Sequence, residues 1–511
     1  MNVCTEYEKR VFNFFERENC CLRCCFRFVG CRIPECYRDP VRFATAAGYI
    51  EVDNACFKKE ICCMACLGIL QNDIQEQIVK KIYVEVGKKN YDCRTFVCAL
   101  TIPICVNLRE RFLCIHCATQ LNLSEDALGD LKIRLLNIKD VWKWMVTPKI
   151  EQVIKKRVDS ATPSPFLIEI ILTYKFNKEE CEVLLSCKET NTTESKWKKK
   201  CHKNKFSRKS MLALMAKVTD TEFFEYFKYV PFEKFVTIDV ENIICSHSSI
   251  FIGGRYNKLS RELSQTPWFI NGEKKMQTSV QDILCTPITE ITKAQSIKFL
   301  SSGREDVDVR NIYSGRPFAV ELINPQMTNI TEELLSDLVE KINQSSWQVQ
   351  ITSNLKVCSR HDLKRLKEGE NVKMKLYRAL CICRNASRDT LSLEKLNNLK
   401  RVKIVQKTPV RVLHRRPLSP RERLIYEMRA RWVELQELKK LDITDDTSTF
   451  FVLDIKTQAG TYVKEFVHGD FGRTKPSLCD ILNVETDIVA LDVTGINLNI
   501  YIYITTIIII L

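Results

Sequence analysis

Along VDVRNIY, residues 307–313, the side chains alternate: Val307, Val309 and Asn311 share one side of an extended segment, and Asp308 and Arg310 point to the other. RPFAVELIN follows as a second strand, so Tyr313-Ser314-Gly315 predicts a turn between two paired strands. From Glu125 to Trp144 the spacing of Leu128, Leu131, Leu135 and Ile138 predicts a helix, and FLIEIILTYKF after Pro165 predicts a strand. SMLALMAKVTDTEFFEYF is amphipathic, and FVTIDVENIICSHSSIFIGGRYNKLSRELSQTPW supplies two strand-like runs and a basic loop. In the last third, KTPVRVLHRRPL (407–418) reads as a strand entering a basic turn, followed by an arginine-rich helix. FFVLDIKT then predicts a strand, Gly460 a sharp turn, and the next segment a helix with Lys464 in its first turn, aimed back at the sheet.

Composition narrows the class. A chain of 511 residues exceeds one ordinary core, so two or three domains are expected, and 45% hydrophobic content is that of a folded protein. The 78 basic against 63 acidic residues leave a net charge of +15, which favours a polyanionic partner. The densest basic run, KWKKKCHKNKFSRK (196–209), interleaves Trp197 and Phe206 with its cations, so backbone neutralisation with stacking stands beside the reading as a solvated loop. The start, MNVCTEYEKR, has no apolar signal core, so the 25 cysteines are read as metal ligands or buried thiols rather than disulfides, in a protein that is not secreted. The terminal INLNIYIYITTIIIIL is shorter than a membrane span and β-branched; it reads as a last strand plus an apolar tail, with a tail anchor as the alternative.

Cys21-Leu-Arg-Cys24 and Cys63-Met-Ala-Cys66 each place two thiolates two residues apart, and two such knuckles complete a closed tetrahedral zinc site. Cys20, Cys25, Cys31, Cys56 and Cys62 permit another register, and Cys114-Ile-His-Cys117 offers a third knuckle. Four thiolates leave no open position, so such a site is structural. Gly303-Arg304-Glu305-Asp306 sets two acids between basic residues, and a guanidinium beside a carboxylate favours the ionised form that a nucleophile or base needs. Gly253, Gly254 and Arg255 to Lys258 could bring backbone and cations to a phosphate. Neither G-x-G-x-x-G, a P-loop nor H-E-x-x-H occurs, which argues against nucleotide-cofactor enzymes and metallohydrolases.

Gly-Arg-Glu-Asp with the following Gly315-Arg-Pro-Phe, the Lys375-Leu-Tyr377-Arg-Ala-Leu380 segment, the basic turn at 407–418 and KTQAGTYVKEFVHGDFGRTKP (456–476) resemble the catalytic half of the pseudouridine synthase ten family of archaea and eukaryotes. Gly254 to Lys258, Ser260-Arg261 and Gln265-Thr-Pro-Trp268 match it too, and Cys63 to Leu70 resembles the second zinc knuckle of its eukaryotic members. The strand, basic run and helix between 166 and 227 resemble its THUMP-containing accessory region. The resemblance implies an α+β protein: a mixed, mainly antiparallel-sheet synthase domain with a separate zinc-containing α/β THUMP-type accessory domain. The expected divisions are 1–155 zinc-binding, 156–270 THUMP-like, 271–500 catalytic and 501–511 tail.

It further implies that Asp306 acts on the ribose, that Tyr377 stacks on the base and assists proton transfer, and that Lys464 pairs with Asp306. Arg304, Arg411, Arg415, Arg416, Arg255, Lys258 and Arg473 become candidate RNA contacts. Conversion of uridine to pseudouridine needs no redox change, so no catalytic cofactor is expected, and structural zinc is the sole ion implied. The implied substrate is the T-arm of tRNA, one or both of two adjacent uridines in the TΨC loop, with other structured RNA a further partner. A monomer in nucleus, cytoplasm or mitochondrion, off the membrane, is expected. The rival reading is a non-catalytic RNA-binding scaffold. Three departures from the family stand out: Tyr313 in place of a glycine at the turn, Gln326 in place of a basic residue, and the apolar terminus.

Overall fold

The computed structural model describes residues 4–51, 61–159, 164–189, 207–228, 236–364, 374–384, 386–434, 436–437 and 448–496. Residues 196–206 of the basic run, Cys56 and the tail at 501–511 lie outside them, as does the side chain of Arg415. The chain divides into two units, Met1–Ser248 and Ser249–Leu511. Among the described residues no helix is long and apolar enough to cross a membrane.

The first unit wraps helices around a four-stranded sheet of order β2-β1-β3-β4: β1 (Thr95–Thr101), β2 (Arg157–Val158), β3 (Phe166–Thr173) and β4 (Asp239–His247). β3 alternates as expected, burying Phe166, Ile168, Ile170 and Leu172. The helical stretch after Glu125 is two helices, Glu125–Arg134 and Ile138–Ile154. Leu135 turns extended between them, and the Asn137 side chain caps the second by accepting from the Lys139 N–H. β1 pairs in parallel with both β2 and β3, so residues before and after 156 share one sheet and one hydrophobic core. The expected divisions at 155 and 270 differ from this architecture: the break falls at 248, because the strand from Ile250 belongs to the next sheet.

The second unit is built on an eleven-stranded sheet. Its strands are β5 (Ile250–Lys258), β8 (Ser296–Ser301), β9 (Val309–Ile323), β10 (Val349–Ile351), β11 (Lys356–Cys358), β12 (Met374–Cys383), β13 (Lys400–Gln406), β14 (Arg421–Trp432), β15 (Thr449–Gln458), β16 (Thr474–Lys475) and β17 (Thr486–Ile496). A small ribbon, β6 (Phe269–Ile270) with β7 (Glu273–Lys274), stands apart. The order is β10-β5-β9-β17-β12-β15-β14-β13-β16, with β11 on β5 and β8 on β9. Among the described strands of this sheet only β9 and β17 run parallel, so the unit is mixed and mainly antiparallel, as the resemblance implied. One core packs helices Val280–Thr292 and Glu332–Ser345 on β5 and β9; a second lies under β12 and β15 with Phe466 and Val467.

Two expected elements take another form. The hairpin at Tyr313-Ser314-Gly315 is instead a bulge within one strand: Lys258 pairs with Asn311 and Tyr256 with Arg316, leaving residues 312–315 looped out opposite Asn257. Positive φ at Tyr313 (65°) and Gly315 (70°) bends the strand without reversing it. The arginine-rich helix after residue 418 is strand β14, paired on both sides by β13 and β15. Arg, Glu, Met and Ala favour a helix, but two flanking ladders decide otherwise.

Candidate active site

The approach to β9 turns on Gly303, at φ 94°, where a Cβ would come within 3.0 Å of Arg316 Nη1. The next residues separate by depth. Glu305 is buried, its carboxylate 2.6 Å from Arg316 Nε, with the Tyr256 hydroxyl donating at 2.8 Å and Gln265 Nε2 at 3.2 Å. Gln265 also donates to the carbonyl of Gly303 at 3.0 Å, and Arg316 Nη1 to that of Ser302 at 2.8 Å. Burial, and then the Glu305 anion, push the Tyr256 phenol well above its ordinary range, so it stays a donor. Lys258 lies fully buried and gives its three ammonium protons to the carbonyls of Leu263, Asp306 and Val307, at 2.9, 3.1 and 2.6 Å. This places Lys258 beneath the loop rather than on a phosphate-binding surface, unlike its expected role.

Asp306 points outward, its side chain 35% exposed. Its Oδ2 meets Arg411 Nη1 at 2.7 Å and Lys464 Nζ at 4.0 Å. Arg411 sits in a 3-10 helix, Val410–Arg415, and is itself held by buried Glu465, Nε to Oε1 at 2.6 Å. Lys464 and Glu465 both start the helix Val463–His468, which follows the Gly460 turn at φ 78°. Lys464 donates to Asp308 at 2.7 and 2.5 Å. Partial burial works to raise Asp308, but the Lys464 hydrogen bonds and charge outweigh it and hold that carboxyl below the usual range. The lysine therefore leans on Asp308 and stands second in line to Asp306, while Arg411, read from sequence as a phosphate contact, is the nearer partner. Arg411 and Glu465 lie 54 residues apart in sequence, and spacing gave no sign of their pairing.

Tyr377 lies on β12, opposite Val493 of β17, whose own partner on β9 is Asn311. Its phenol is pushed up to about 12, chiefly by burial, against the lowering pull of Arg316 and with a further rise from the Asp306 carboxylate. Asp306, Lys464 and Tyr377, three positions spread over 159 residues of sequence (306 to 464, inclusive), thus act on one locality. Arg304 and Arg416 are exposed and, among the described residues, have no side-chain partner. Arg255 pins the bulge, donating to the carbonyl of Gly315 at 3.0 Å, and Arg473 donates to that of Thr408 at 3.0 and 2.7 Å.

In the first unit the sulfurs of Cys21, Cys24, Cys63 and Cys66 lie within 4.8 Å of one another, with Cys21 and Cys66 at 4.0 Å. A tetrahedral ion with Zn–S near 2.3 Å sets its sulfurs about 3.8 Å apart, so the four fit a closed thiolate site. The N–H groups of Cys21 and Cys66 reach Cys63 Sγ at 3.2 and 3.5 Å, and buried Arg27 reaches Cys24 Sγ at 3.6 Å, donors suited to thiolate charge. Cys114 and Cys117 are instead buried within the helix Cys105–Gln120.

The class these observations point to is the pseudouridine synthases, which are isomerases: the family "Pus10, C-terminal" matches residues 251–497 and "Eukaryotic Pus10, N-terminal" matches 63–245. The tRNA pseudouridine synthase Pus10 of Homo sapiens is 35% identical over 437 residues, 86% of this chain and 78% of its own length. That of Xenopus laevis is 35% identical over 439 residues, 86% of this chain and 80% of its own. The archaeal counterpart from Thermofilum pendens is 35% identical over 256 residues, 48% of this chain and 53% of its own. The chain belongs to the Pus10 family.

Proposed function

We propose that this chain isomerises uridine to pseudouridine in the T-arm of tRNA, at one or both of two adjacent TΨC-loop uridines, with Asp306 supplying the anion that acts at the ribose. The observation that carries the reading is the outward carboxylate of Asp306, 2.7 Å from Arg411 and 4.0 Å from Lys464, in a chain of this family. The reaction cleaves the N1–ribose bond, turns the base over and rejoins it through C5, so the base must leave its stack and enter the site. Tyr377 offers a face for that base and a phenol that stays protonated at neutral pH for proton transfer at C5. Arg304 and Arg416, exposed and unengaged by other described side chains, are the phosphate contacts. Cys21, Cys24, Cys63 and Cys66 hold zinc as a fold-stabilising ion, and the protein works in the nucleus or cytoplasm.

The test is pseudouridine mapping on tRNA after incubation with purified protein. Asp306→Ala should abolish product while leaving tRNA affinity within about threefold, since the carboxylate contributes little to phosphate binding. Asp308→Ala should keep turnover within about tenfold of wild type, an allowance of one decade per 1.36 kcal/mol of barrier. Product from Asp306→Ala, or its loss only in Asp308→Ala, would overturn the assignment. Tight tRNA binding with no product from the wild-type chain would favour the scaffold reading.

A further inference from the structure

Immediately after the helix that carries Lys464, four consecutive residues take positive φ: Gly469 (80°), Asp470 (47°), Phe471 (56°) and Gly472 (79°). L-residues avoid this region, and a bulky aromatic avoids it most. The turn is held closed by its own ladder: Gly472 N–H to Gly469 carbonyl at 3.0 Å, Arg473 N–H to Asp470 carbonyl at 3.1 Å, and Thr474 N–H to Gly469 carbonyl at 3.2 Å. The buried Asp470 carboxylate accepts from the Val410 N–H at 3.3 Å, and Arg473 clasps the Thr408 carbonyl. The turn is therefore tied to both cationic sides of the site, through the helix of Lys464 and through the segment of Arg411.

What this bracing accomplishes is to hold the Phe471 ring 95% exposed. An aromatic ring gains most by burial, so a turn that over-determines its exposure implies an occupant supplied from outside. The surroundings specify its chemistry. Lys407, whose N–H is bonded to the Arg473 carbonyl, Arg416 and Lys475 are exposed cations along this edge. Exposed Val410, Leu413 and Leu418 add apolar surface among them. A cleft of about 570 Å³ opens beside the ring, lined by His468, Lys475 and Ser477 and by the carboxylates of Asp480, Glu485 and Asp487, with Lys475 Nζ 3.9 Å from Asp480. The cations and bare apolar faces of the 407–418 segment suit phosphates and unpaired bases, and the carboxylates of the cleft suit the amino donors of a base edge rather than a phosphate.

We infer that Phe471 is a stacking platform for an unpaired nucleobase of the RNA substrate, next to the uridine delivered to Asp306. The inference rests on the proposed function for the identity of the RNA. Its test uses Asp306→Ala as background, so no turnover is needed. T-arm hairpins carrying 2-aminopurine at each loop position in turn should show quenching at one position on binding. That quenching should vanish in Asp306→Ala/Phe471→Ala and persist in Asp306→Ala/Phe471→Trp, with affinity for the alanine variant reduced roughly 5- to 150-fold. Because the ring touches solvent, the fold should survive, and an unchanged far-ultraviolet circular dichroism spectrum checks this. Unchanged affinity and an unchanged quenching pattern in the alanine variant would refute the platform, as would an alanine defect confined to self-association or protein binding. If wild type makes no pseudouridine yet the quenching depends on Phe471, the function falls and the platform stands.

Discussion

Lys258 is a cation that, among the described residues, is paired with backbone carbonyls and with no carboxylate, one of those carbonyls being that of Asp306 itself. Burial pulls its ammonium down to about 8; Glu305, Asp308 and Asp306 draw it back up and Arg261 opposes them. Above that pH the amine keeps two protons for three carbonyls, and the peptide after Asp306 loses a tether. Turnover should therefore fall on an alkaline limb near pH 8, with KM little changed. Lys258→Met should be slower by roughly 10- to 100-fold, the scale of a small misplacement of a reacting group, and should lack that limb. The sign for stability is opposite. A lysine whose folded value lies below its unfolded one, about 10.4, destabilises the fold at neutral pH, and the cost fades as pH rises from 8 past 10.4. Melting temperature followed across the same pH range separates the two: an activity loss that tracks unfolding would discredit the tether. From sequence, the cation in Gly-Gly-Arg-Tyr-Asn-Lys reads as a phosphate ligand, because nothing in spacing reveals that a lysine ends inside a loop. The motifs put Asp306 and Lys464 forward as candidates for one pair, whereas the preference of Lys464 for Asp308 depends on rotamers that no motif encodes.

At the scale of elements, alternation identified the strands and missed how they are joined. VDVRNIYSGRPF has the turn residues of a hairpin, and what makes it a bulge is that β5 pairs on both sides of it, with Asn311 and with 316–322, while β17, distant in sequence, pairs with 309–311. Gly315 is where this geometry is least forgiving: a Cβ there would strike Thr352 Oγ1 and lie 3.2 Å from the Tyr256 carbonyl. Gly315→Ala should destabilise the second unit by about 1–3 kcal/mol in denaturant unfolding, and a near-neutral result would show that the bulge can relax. The cysteine knuckles are the opposite case. Their spacing offered the four sulfurs that converge beside other registers, and the resemblance of the segment from Cys63 favoured this one, because C-x-x-C fixes ligand geometry within each pair and leaves open which pairs meet. One zinc per chain by elemental analysis is the expected stoichiometry, and chelation or Cys63→Ser should lower the unfolding temperature. An apoprotein that melts where the loaded one does would remove the ion from the folding argument.

Over the whole molecule, the count of 78 basic residues overstates the cations that RNA can meet. Arg27 is spent on Glu110, Arg109 on Glu180 and Arg316 on Glu305, all three inside the fold, and Arg261 and Arg310 share Asp492. A buried ion pair neither releases counterions nor steers a polyanion. Among the described residues near the site, Arg304, Arg416 and Lys407 are exposed with no acidic partner, and Lys475 is exposed with only a surface contact of 3.9 Å to Asp480, a set that only the folded chain separates from the rest. Each neutralised phosphate contributes about −0.7 to −0.9 to the slope of log affinity against log salt, so T-arm binding through these four should show a slope of about −2.8 to −3.6 rather than one scaled to the count of basic residues. Arg304→Ala should make that slope shallower by somewhat less than one and weaken every RNA similarly, whereas Phe471→Ala should weaken binding with the slope intact. Filter binding between 50 and 200 mM salt, on the order of the range where such slopes are measured, decides between them. A wild-type slope near zero would mean that the exposed arginines do not touch phosphate and that base contacts alone hold the RNA.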